Sequence, residues 1–233
     1  MESIPSPYTT EWSNESHVPE ILSFLRENFD KEENILRCMK KHDVTGEDEE
    51  LMWKDHEQII NVLIAETPCL IVLDVSTKKI IGAGVMIVDR NPKIDETANE
   101  GSVFDKNPPK TKLMKTYFSY MSQIIDKACL FDRFSEAKVG VELYAVAVHK
   151  NFRRKGLGTT IIAEAISFVK DIVEDVGFIF GLCTSMYSRK AFEKLGFECA
   201  LEEDMLEYKD ELGRFILRDT SPHNIASVLT LKV

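Results

Sequence analysis

A short basic segment with two glycines is the part of the sequence with the clearest chemical use. It reads Arg-Arg-Lys-Gly-Leu-Gly over Arg153–Gly158 and separates an apolar run, Val141–Val148, from an amphipathic run, Thr159–Val176. The first amides of a helix lack intrahelical partners, and the helix dipole favours an anion beside them. Glycines let a ligand approach the backbone closely. A strand that leads through this turn into a helix therefore predicts a site for a phosphate or pyrophosphate group.

Other common site patterns are missing from the sequence. The turn has neither the Gly-Lys-Ser/Thr of a P-loop nor the G-x-G-x-x-G of a dinucleotide fingerprint. The five histidines show no HExxH or paired spacing, so no metal site is predicted. The five cysteines are odd in number and scattered, without a C-x-x-C pair, which favours free thiols in a reducing compartment.

Length and composition restrict the class of protein. The chain has 233 residues, of which 44% are hydrophobic and 29% charged, values typical of a soluble globular protein. We expect a single domain over residues 1–233. The net charge of −10 argues against general binding to nucleic acid or anionic membranes. The polar segment Met1–Asn14 predicts no signal peptide, and no apolar run is long enough to span a bilayer, so we expect a cytoplasmic protein.

The elements that must position the basic turn follow from the spacing of apolar residues. The polar segment Asn91–Pro109 is predicted to be a surface excursion. The order of helices and strands predicts a mixed α/β fold with helices on both faces of the sheet. Helices are predicted over His17–Phe29, Glu49–Ala65, Lys112–Leu130, Thr159–Val176 and Ser188–Leu195, and strands over Leu70–Val75, Ile80–Val88, Val141–Val148, Phe178–Cys183, Glu198–Leu201 and Ile225–Val233.

Two segments of the second half resemble the GNAT acyltransferases. Val148–Gly158 resembles their V-x-P-x-x-R-x-x-G-x-G segment, with Lys150 in the usual proline position, and Ala191–Phe197 resembles their closing YEKLGF segment. The two segments lie at the family's usual separation. The resemblance implies the GNAT fold, in which a twisted mixed sheet of about seven strands with a splayed central strand is flanked by helices on both faces.

The same resemblance implies acetyl-CoA as the cofactor. Its pyrophosphate is expected on the amides from Arg154 to Thr159, and its pantetheine arm is expected to pair with the backbone of the splayed strand. The residues implied to bind it are Val146, Ala147, Val148, Arg153, Arg154, Lys155, Gly156, Leu157, Gly158 and Thr159.

A narrower resemblance is to the insect-type arylalkylamine N-acetyltransferases. Cys183–Ser188 resembles their C-[ST]-S-x-Y-S segment, and Phe29–Ile35 resembles their F-x-x-D-E-P-L segment, with Asn34 in place of proline. This implies direct acetyl transfer, in a ternary complex, to the primary amine of an arylalkylamine such as dopamine, tyramine or a serotonin-like amine. The alternatives are another amine such as a polyamine, a longer acyl-CoA, or a non-catalytic acyl-CoA-binding module. We expect a small-molecule partner and a monomer or weak homodimer.

Amine acetylation needs a proton acceptor. An alkylammonium group with a pKa near about 10.4 is neutral in only about one molecule in two to three thousand at pH 7. Glu33 aligns with the family's catalytic glutamate and is the first candidate; otherwise it is a solvated member of the run Lys31–Glu33. Glu142, on the predicted central strand, is the rival, because the histone-acetyltransferase branch places its base there. Its alternative is a strand-end carboxylate facing water.

Thr184 and Ser188 match the two hydroxyl positions of the insect-type enzymes, where they would relay a proton or orient the substrate. Their structural alternatives are a strand-end hydroxyl and the N-cap of the next helix. Phe192 occupies the position at which many GNAT enzymes carry an acid tyrosine, so that acid is missing here. Nothing in the sequence places a base beside Cys183 to favour an acetyl-enzyme. The helix side chains Tyr117, Phe118 and Met121 would either receive an aromatic amine or pack in the core.

Overall fold

Seven strands form one sheet in the computed structural model, which describes residues 7–42, 46–100, 103–209 and 213–233. The strand order is β1-β2-β3-β4-β5-β7-β6, and every neighbouring pair is antiparallel except β4 with β5. The predicted mixed sheet is therefore confirmed. The strands are β1 Tyr8–Trp12, β2 Leu70–Asp74, β3 Ile80–Arg90, β4 Val139–Val148, β5 Val176–Cys183, β6 Glu198–Asp204 and β7 Ile225–Lys232.

The helices cover both faces of this sheet because each buries one apolar stripe. Helices α1, α2, α3 and α5 share one core cluster with the sheet, while α7 and α8 pack on the opposite face. Helix α1 continues into a π-helical turn over Arg26–Asp30. The helices are α1 Val18–Leu25, α2 Asn34–Lys41, α3 Glu49–Glu66, α4 Val103–Lys106, α5 Lys112–Ala128, α6 Leu130–Arg133, α7 Leu157–Ile172 and α8 Met186–Glu193.

The two central strands separate halfway along their length. Strand β4 pairs with β5 only from Val139 to Glu142, whereas its pairing with β3 continues to Val148. Beyond Glu142, the edge of β4 that faces β5 has no ladder partner within the described residues. The splayed central strand predicted from the family resemblance is thus present.

A β-bulge lies at the point of separation. The register jumps from Val85–Ala145 to Met86–Leu143, which leaves Tyr144 as an extra residue in β4. A bulge changes which face of the sheet the following side chains occupy. Leu143 accordingly packs with the α7 cluster, while both Tyr144 and Ala145 pack with the cluster of α1, α3 and α5. The bulge therefore places a tyrosine on the α3 face where the strands part.

Several elements differ from those predicted. Strand β1 and helix α2 were not predicted, because β1 is a short edge strand with none of its five residues buried and α2 follows a charged turn. The predicted helix Lys112–Leu130 breaks at Cys129, whose φ of 48° is left-handed. The predicted excursion Asn91–Pro109 contains the short helix α4. Helix α8 begins at Met186 and not at Ser188, since Ser185 is its N-cap.

Candidate active site

The basic turn leaves open space above its backbone at the start of α7. The helix begins at Leu157, and its N-cap, Gly156, has a φ of 85°. A Cβ at Gly156 would meet nothing within 4 Å, and one at Gly158 would come no closer than 4.0 Å to Val148. The Leu157 side chain is buried, so this residue offers only its backbone. The free amides of the first turn, which includes Thr159, therefore face space that a phosphate can fill.

The three cations of the turn differ in how freely they can meet that phosphate. The Arg153 guanidinium donates from Nε to the Val148 carbonyl at 3.0 Å and lies 3.5 Å from the Glu32 carboxylate. The Lys155 ammonium lies 5.0 Å from the ring centroid of Phe152. Arg154 is exposed and has a left-handed φ of 63°. Arg153 is thus held against the end of β4, while Arg154 and Lys155 supply charge at the surface.

The end of β4 presents backbone groups to the opening between the strands. His149 N donates to Ile81 O at 2.9 Å, and backbone groups alternate in direction along a strand. The groups of Ala147 therefore point to β3, and those of Val146 and Val148 point to the open edge. These two residues are the ones that can pair with an extended ligand in the opening.

Glu33 lies at the other side of this opening. Its carboxylate caps α2 by accepting from Leu36 N at 2.7 Å, and Thr184 Oγ1 donates to it at 2.6 Å. Thr184 directly follows β5, so the bond fixes Glu33 beside the strand that parts from β4. The side chain is only 8% exposed, and this burial raises its pKa, although the Thr184 and backbone hydrogen bonds act in the opposite direction. Glu33 is therefore a buried carboxyl and not a solvated member of a charge run.

Asn34, the next residue, also ties the start of α2 to the segments beside β5 and β7. Its side-chain amide donates to Thr184 O at 3.2 Å and to His223 O at 2.8 Å. A proline at this position, as in the resembling segment, could make neither bond. The departure from the family pattern thus replaces a rigid backbone by two hydrogen bonds that join α2 to the ends of β5 and β7.

The two predicted hydroxyls have different partners. Thr184 meets Glu33, whereas the Ser188 hydroxyl donates to Ser185 O at 2.9 Å and contacts Ser185 Oγ at 2.9 Å. The helix N-cap is Ser185, so the interpretation of Ser188 as the cap is wrong. Ser188 also lies against the Cys183 thiol, whose pKa burial raises to about 12. A thiol that remains protonated is a poor nucleophile.

The other side chains of interest on helices α5 and α8 make ring contacts or lie in the core. Phe192 is buried against Phe197 at a centroid distance of 4.8 Å, so a hydroxyl is indeed missing there. Tyr187 is 65% exposed and stacks edge-on against His223. Met121 is buried in the main core.

Six side chains with rings lie together on the face of the sheet that carries helix α3, and we call this set the aromatic cluster. Neighbouring rings have centroids 5.0 to 6.5 Å apart. Burial and then the Glu33 carboxyl raise the pKa of the Tyr117 hydroxyl, so the buried carboxyl lies close to the cluster. Phe29 and Phe104 are partly exposed, and the other members are buried. The members are Phe29, His56, Phe104, Tyr117, Phe118 and Tyr144.

A hydrogen-bonded row crosses the aromatic cluster, and sequence reasoning missed it. Asp30 Oδ1 lies 2.7 Å from His56 Nδ1, and His56 Nε2 lies 2.7 Å from the Tyr144 hydroxyl. All three side chains are buried. Only a histidine on the apolar face of a helix, among Met52, Ile59 and similar residues, hinted at it, and such a histidine predicts no particular partner.

Glu142, the rival base, is also buried and does not face water. It is 4% exposed, and burial raises its pKa to about 8, with the nearby Asp89 carboxylate adding to the rise. It occupies the last paired position before the strands separate, opposite Ile87 on β3 and Phe180 on β5. The expectation of a water-facing strand end is therefore wrong, and the carboxyl is mostly neutral at pH 7.

The fold, the open turn and the split sheet define a class of protein. The chain belongs to the acetyltransferase (GNAT) family, whose model matches residues 33–197. It is an acetyltransferase, and acetyl-CoA is its acyl donor.

Solved structures of insect enzymes share this fold over nearly the whole chain. A mosquito arylalkylamine N-acetyltransferase like 5b superposes with a TM-score of 0.79 at 17% identity, covering 97% of this chain and 100% of that one. Arylalkylamine N-acetyltransferase 2 from Aedes aegypti gives 0.78 at 18% identity, with coverages of 97% and 99%. The Drosophila melanogaster polyamine N-acetyltransferase gives 0.77 at 16% identity, with coverages of 97% and 100%.

The geometry of the turn and of β4 fits acetyl-CoA. The space above Gly156 and Gly158 and the free amides of α7 suit its pyrophosphate, while Val146 and Val148 suit its amide-bearing arm. Acetyl-CoA supplies an acetyl group activated as a thioester. Among the described residues, no helix has the length and apolar character needed to cross a membrane.

Proposed function

We propose that the protein acetylates the primary amine of a small arylalkylamine, such as dopamine, tyramine or a serotonin-like amine, by direct attack in a ternary complex with acetyl-CoA. The observation that carries this proposal is a buried carboxyl, Glu33, which lies between the aromatic cluster and the opening in the sheet. An aromatic ring packs on aromatic walls, and their faces also attract an ammonium group.

Glu33 is the proposed proton acceptor for the substrate nitrogen. Burial raises its pKa towards the range in which a carboxylate is an effective base at neutral pH. Thr184 orients the carboxylate by its hydrogen bond, and Ser188 lies one helical turn away beside Cys183. The buried, protonated Cys183 thiol supports direct transfer without an acetyl-enzyme.

The cofactor residues are proposed in two groups. The amides of Leu157, Gly158 and Thr159 bind the pyrophosphate, with Gly156 leaving the approach open. The backbone of Val146 and Val148 pairs with the pantetheine arm, and Ala147 supports them through its bonds to β3. Arg153 holds the end of β4, while Arg154 and Lys155 attract the phosphates electrostatically.

The single-domain organisation over residues 1–233, a monomer or weak homodimer and a cytoplasmic location remain predictions. All five cysteines are free thiols, which supports a reducing compartment.

A second candidate acceptor is a polyamine. The chain carries a net charge of −10, and Asp30 and Glu33 are buried carboxyls on the same side of the sheet. This arrangement favours a substrate with more than one cationic group.

Release of the CoA thiol, measured across a panel of amines, separates these candidates. We expect release with tyramine, dopamine, serotonin and phenethylamine, and little with spermidine or histamine. Release with spermidine alone would replace the arylalkylamine proposal by the polyamine one. No release from any amine, with acetyl-CoA binding shown by calorimetry, would contradict both.

The role of Glu33 is tested by Glu33→Gln, which keeps the size of the side chain and an acceptor for Leu36 N. General-base catalysis predicts a fall in kcat of about 10²- to 10⁴-fold, with the Kd of acetyl-CoA unchanged. Glu27→Gln is the matched control, because Glu27 is an exposed carboxylate on the adjoining turn that pairs with Lys31. Equal turnover in the two variants would remove Glu33 from the mechanism.

A further inference from the structure

The proposed reaction removes two protons from one nitrogen. An alkylammonium must lose one proton to expose a lone pair, and the nitrogen must lose a second after the C–N bond forms. The sulfur of CoA takes up only one proton as the C–S bond breaks and the sulfur keeps the electron pair. A single carboxylate such as Glu33 cannot hold both protons at once, so a second acceptor near the nitrogen would let both protons leave without waiting for Glu33 to release the first.

The row Asp30–His56–Tyr144 has the geometry of such an acceptor. Its members come from the π turn, helix α3 and strand β4, and both hydrogen bonds are 2.7 Å long. The Asp30 carboxylate accepts from Nδ1–H of His56, which leaves Nε2 as an acceptor. The Tyr144 hydroxyl then donates to Nε2, and its oxygen lone pairs face away from the histidine.

The position of Tyr144 joins this row to the reacting groups. Tyr144 is the bulged residue of β4 and lies where β4 leaves β5, two residues before Val146. The partly exposed rings of Phe29 and Phe104 lie 6.5 and 6.2 Å from its ring. Tyr144 is thus the member of the aromatic cluster that lies on the strand whose open edge is proposed to pair with the pantetheine arm.

A neighbouring hydroxyl indicates that a ligand enters here. Tyr117 is fully buried, and its hydroxyl has no hydrogen-bond partner within the described part of the chain. A buried hydroxyl without a partner is unfavourable, and a substrate donor or acceptor would satisfy it. The Tyr117 ring lies 6.5 Å from that of His56, so the unpaired hydroxyl and the row belong to one site.

We propose that the Tyr144 hydroxyl takes the first proton from the substrate ammonium, with Asp30 and His56 as positioning residues; this rests on the proposed function. An N–H proton moves to the Tyr144 oxygen as the tyrosine's own proton moves to His56 Nε2. The electron pair of the broken N–H bond remains on nitrogen as the attacking lone pair. The imidazolium that forms is paired with the Asp30 carboxylate. Glu33 takes the second proton and passes it to the sulfur of CoA as the C–S bond breaks, and the proton on His56 goes to solvent when the products leave.

The charged groups around the row favour this transfer. Besides Asp30, the carboxyls that act on the Tyr144 hydroxyl are Glu142 from its own strand and Glu33 from the start of α2, and Tyr117 faces it from α5. Of these groups, the Asp30 carboxylate contacts His56 directly and stabilises the imidazolium that forms. Burial and these carboxyls raise the pKa of Tyr144 well above its usual value, so the tyrosine passes a proton on without a free phenolate.

The pH dependence of kcat/KM and the His56 imidazole ¹⁵N shifts of the free protein test the proposal together. Asp30→Asn keeps an acceptor for Nδ1–H but removes the charge. In the wild type we expect the ¹⁵N shifts to show the Nδ1–H tautomer, and in Asp30→Asn we expect the acid limb of kcat/KM to move to lower pH. Tyr144→Phe should lower kcat/KM by about 10²-fold or more while leaving the Kd of acetyl-CoA unchanged.

Tyr120→Phe is the matched control, because Tyr120 is a second buried tyrosine of α5 with an unpaired hydroxyl, stacked on Tyr208. It should leave the pH profile unchanged. An acid limb that stays in place in Asp30→Asn would overturn the relay, as would full kcat/KM in Tyr144→Phe, whether or not Asp30→Asn folds. Wild-type protein that releases no CoA with any amine would overturn the proposed function itself, and the relay with it.

Discussion

Replacing Glu142 by glutamine should stabilise the protein at alkaline pH. Glu142 is 4% exposed in β4, between Ile87 and Phe180, and burial beside Asp89 raises its pKa from 4.5 to about 8. Ionising this carboxyl in the folded protein is therefore unfavourable. Glutamine has nearly the same shape and is always neutral, so it removes the ionisation and keeps the packing.

The size of the effect follows from the two pKa values. Each unit of pKa difference is worth about 1.36 kcal/mol. At pH 8 the unfolded carboxyl is fully ionised and the folded one half ionised, which lowers the free energy of unfolding by about 4 kcal/mol. At pH 5 the same calculation gives a loss in the free energy of unfolding of less than about 1 kcal/mol. Because the folded pKa is the higher one, stability is complete below pH 4.5 and falls as the pH rises towards 8.

Urea denaturation from pH 5 to pH 8 measures this difference. We expect Glu142→Gln to exceed the wild type by about 4 kcal/mol at pH 8 and by little at pH 5. Burial also raises the pKa of Asp89, to about 6, which adds a pH dependence common to both proteins. Glu164→Gln, at an exposed position of α7, controls for the loss of one negative charge.

A stability difference that does not change between pH 5 and pH 8 would refute the reasoning, because it would mean that the Glu142 carboxyl ionises without a burial penalty. The same variant also tests whether Glu142, and not Glu33, is the base. We expect Glu142→Gln to retain turnover, whereas a loss as large as that of Glu33→Gln would make Glu142 the base.

Two further predictions concern the cofactor and the thiol. Gly156→Asp places a carboxylate above the free amides of α7 and should weaken acetyl-CoA binding, measured by calorimetry, by at least about 10²-fold. The control, Gly196→Asp, introduces the same left-handed backbone strain after the end of α8 and should bind acetyl-CoA normally. Equal affinities in the two variants would contradict the phosphate site. Cys183→Ala should keep its turnover, because burial raises the pKa of the thiol to about 12; trapping of an acetyl group on Cys183 by mass spectrometry of the wild type would contradict direct transfer.

Elements with a strong local pattern were predictable. The strand over Val141–Val148, the turn Arg153–Gly158 and the helix after it were found because apolar spacing, cations and glycines lie within one stretch of chain. The edge strand β1 was not, because an exposed edge leaves no buried face to mark it. The candidacy of Glu33 as the base came from the family resemblance alone, since a charged run by itself predicts exposure.

The sequence by itself determined the basic turn and the helix that follows it, because both are built from consecutive residues. The tertiary structure decided the rest. Glu33 meets Thr184 across 151 residues, and His56 joins Asp30 and Tyr144 across 26 and 88. The contact between His56 and Tyr144 depends on the register of β4 and on its bulge, which places the Tyr144 side chain on the α3 face. Neither the register nor the bulge leaves a local trace, because hydrophobic spacing reports only which face is buried and not which distant side chain lies against it.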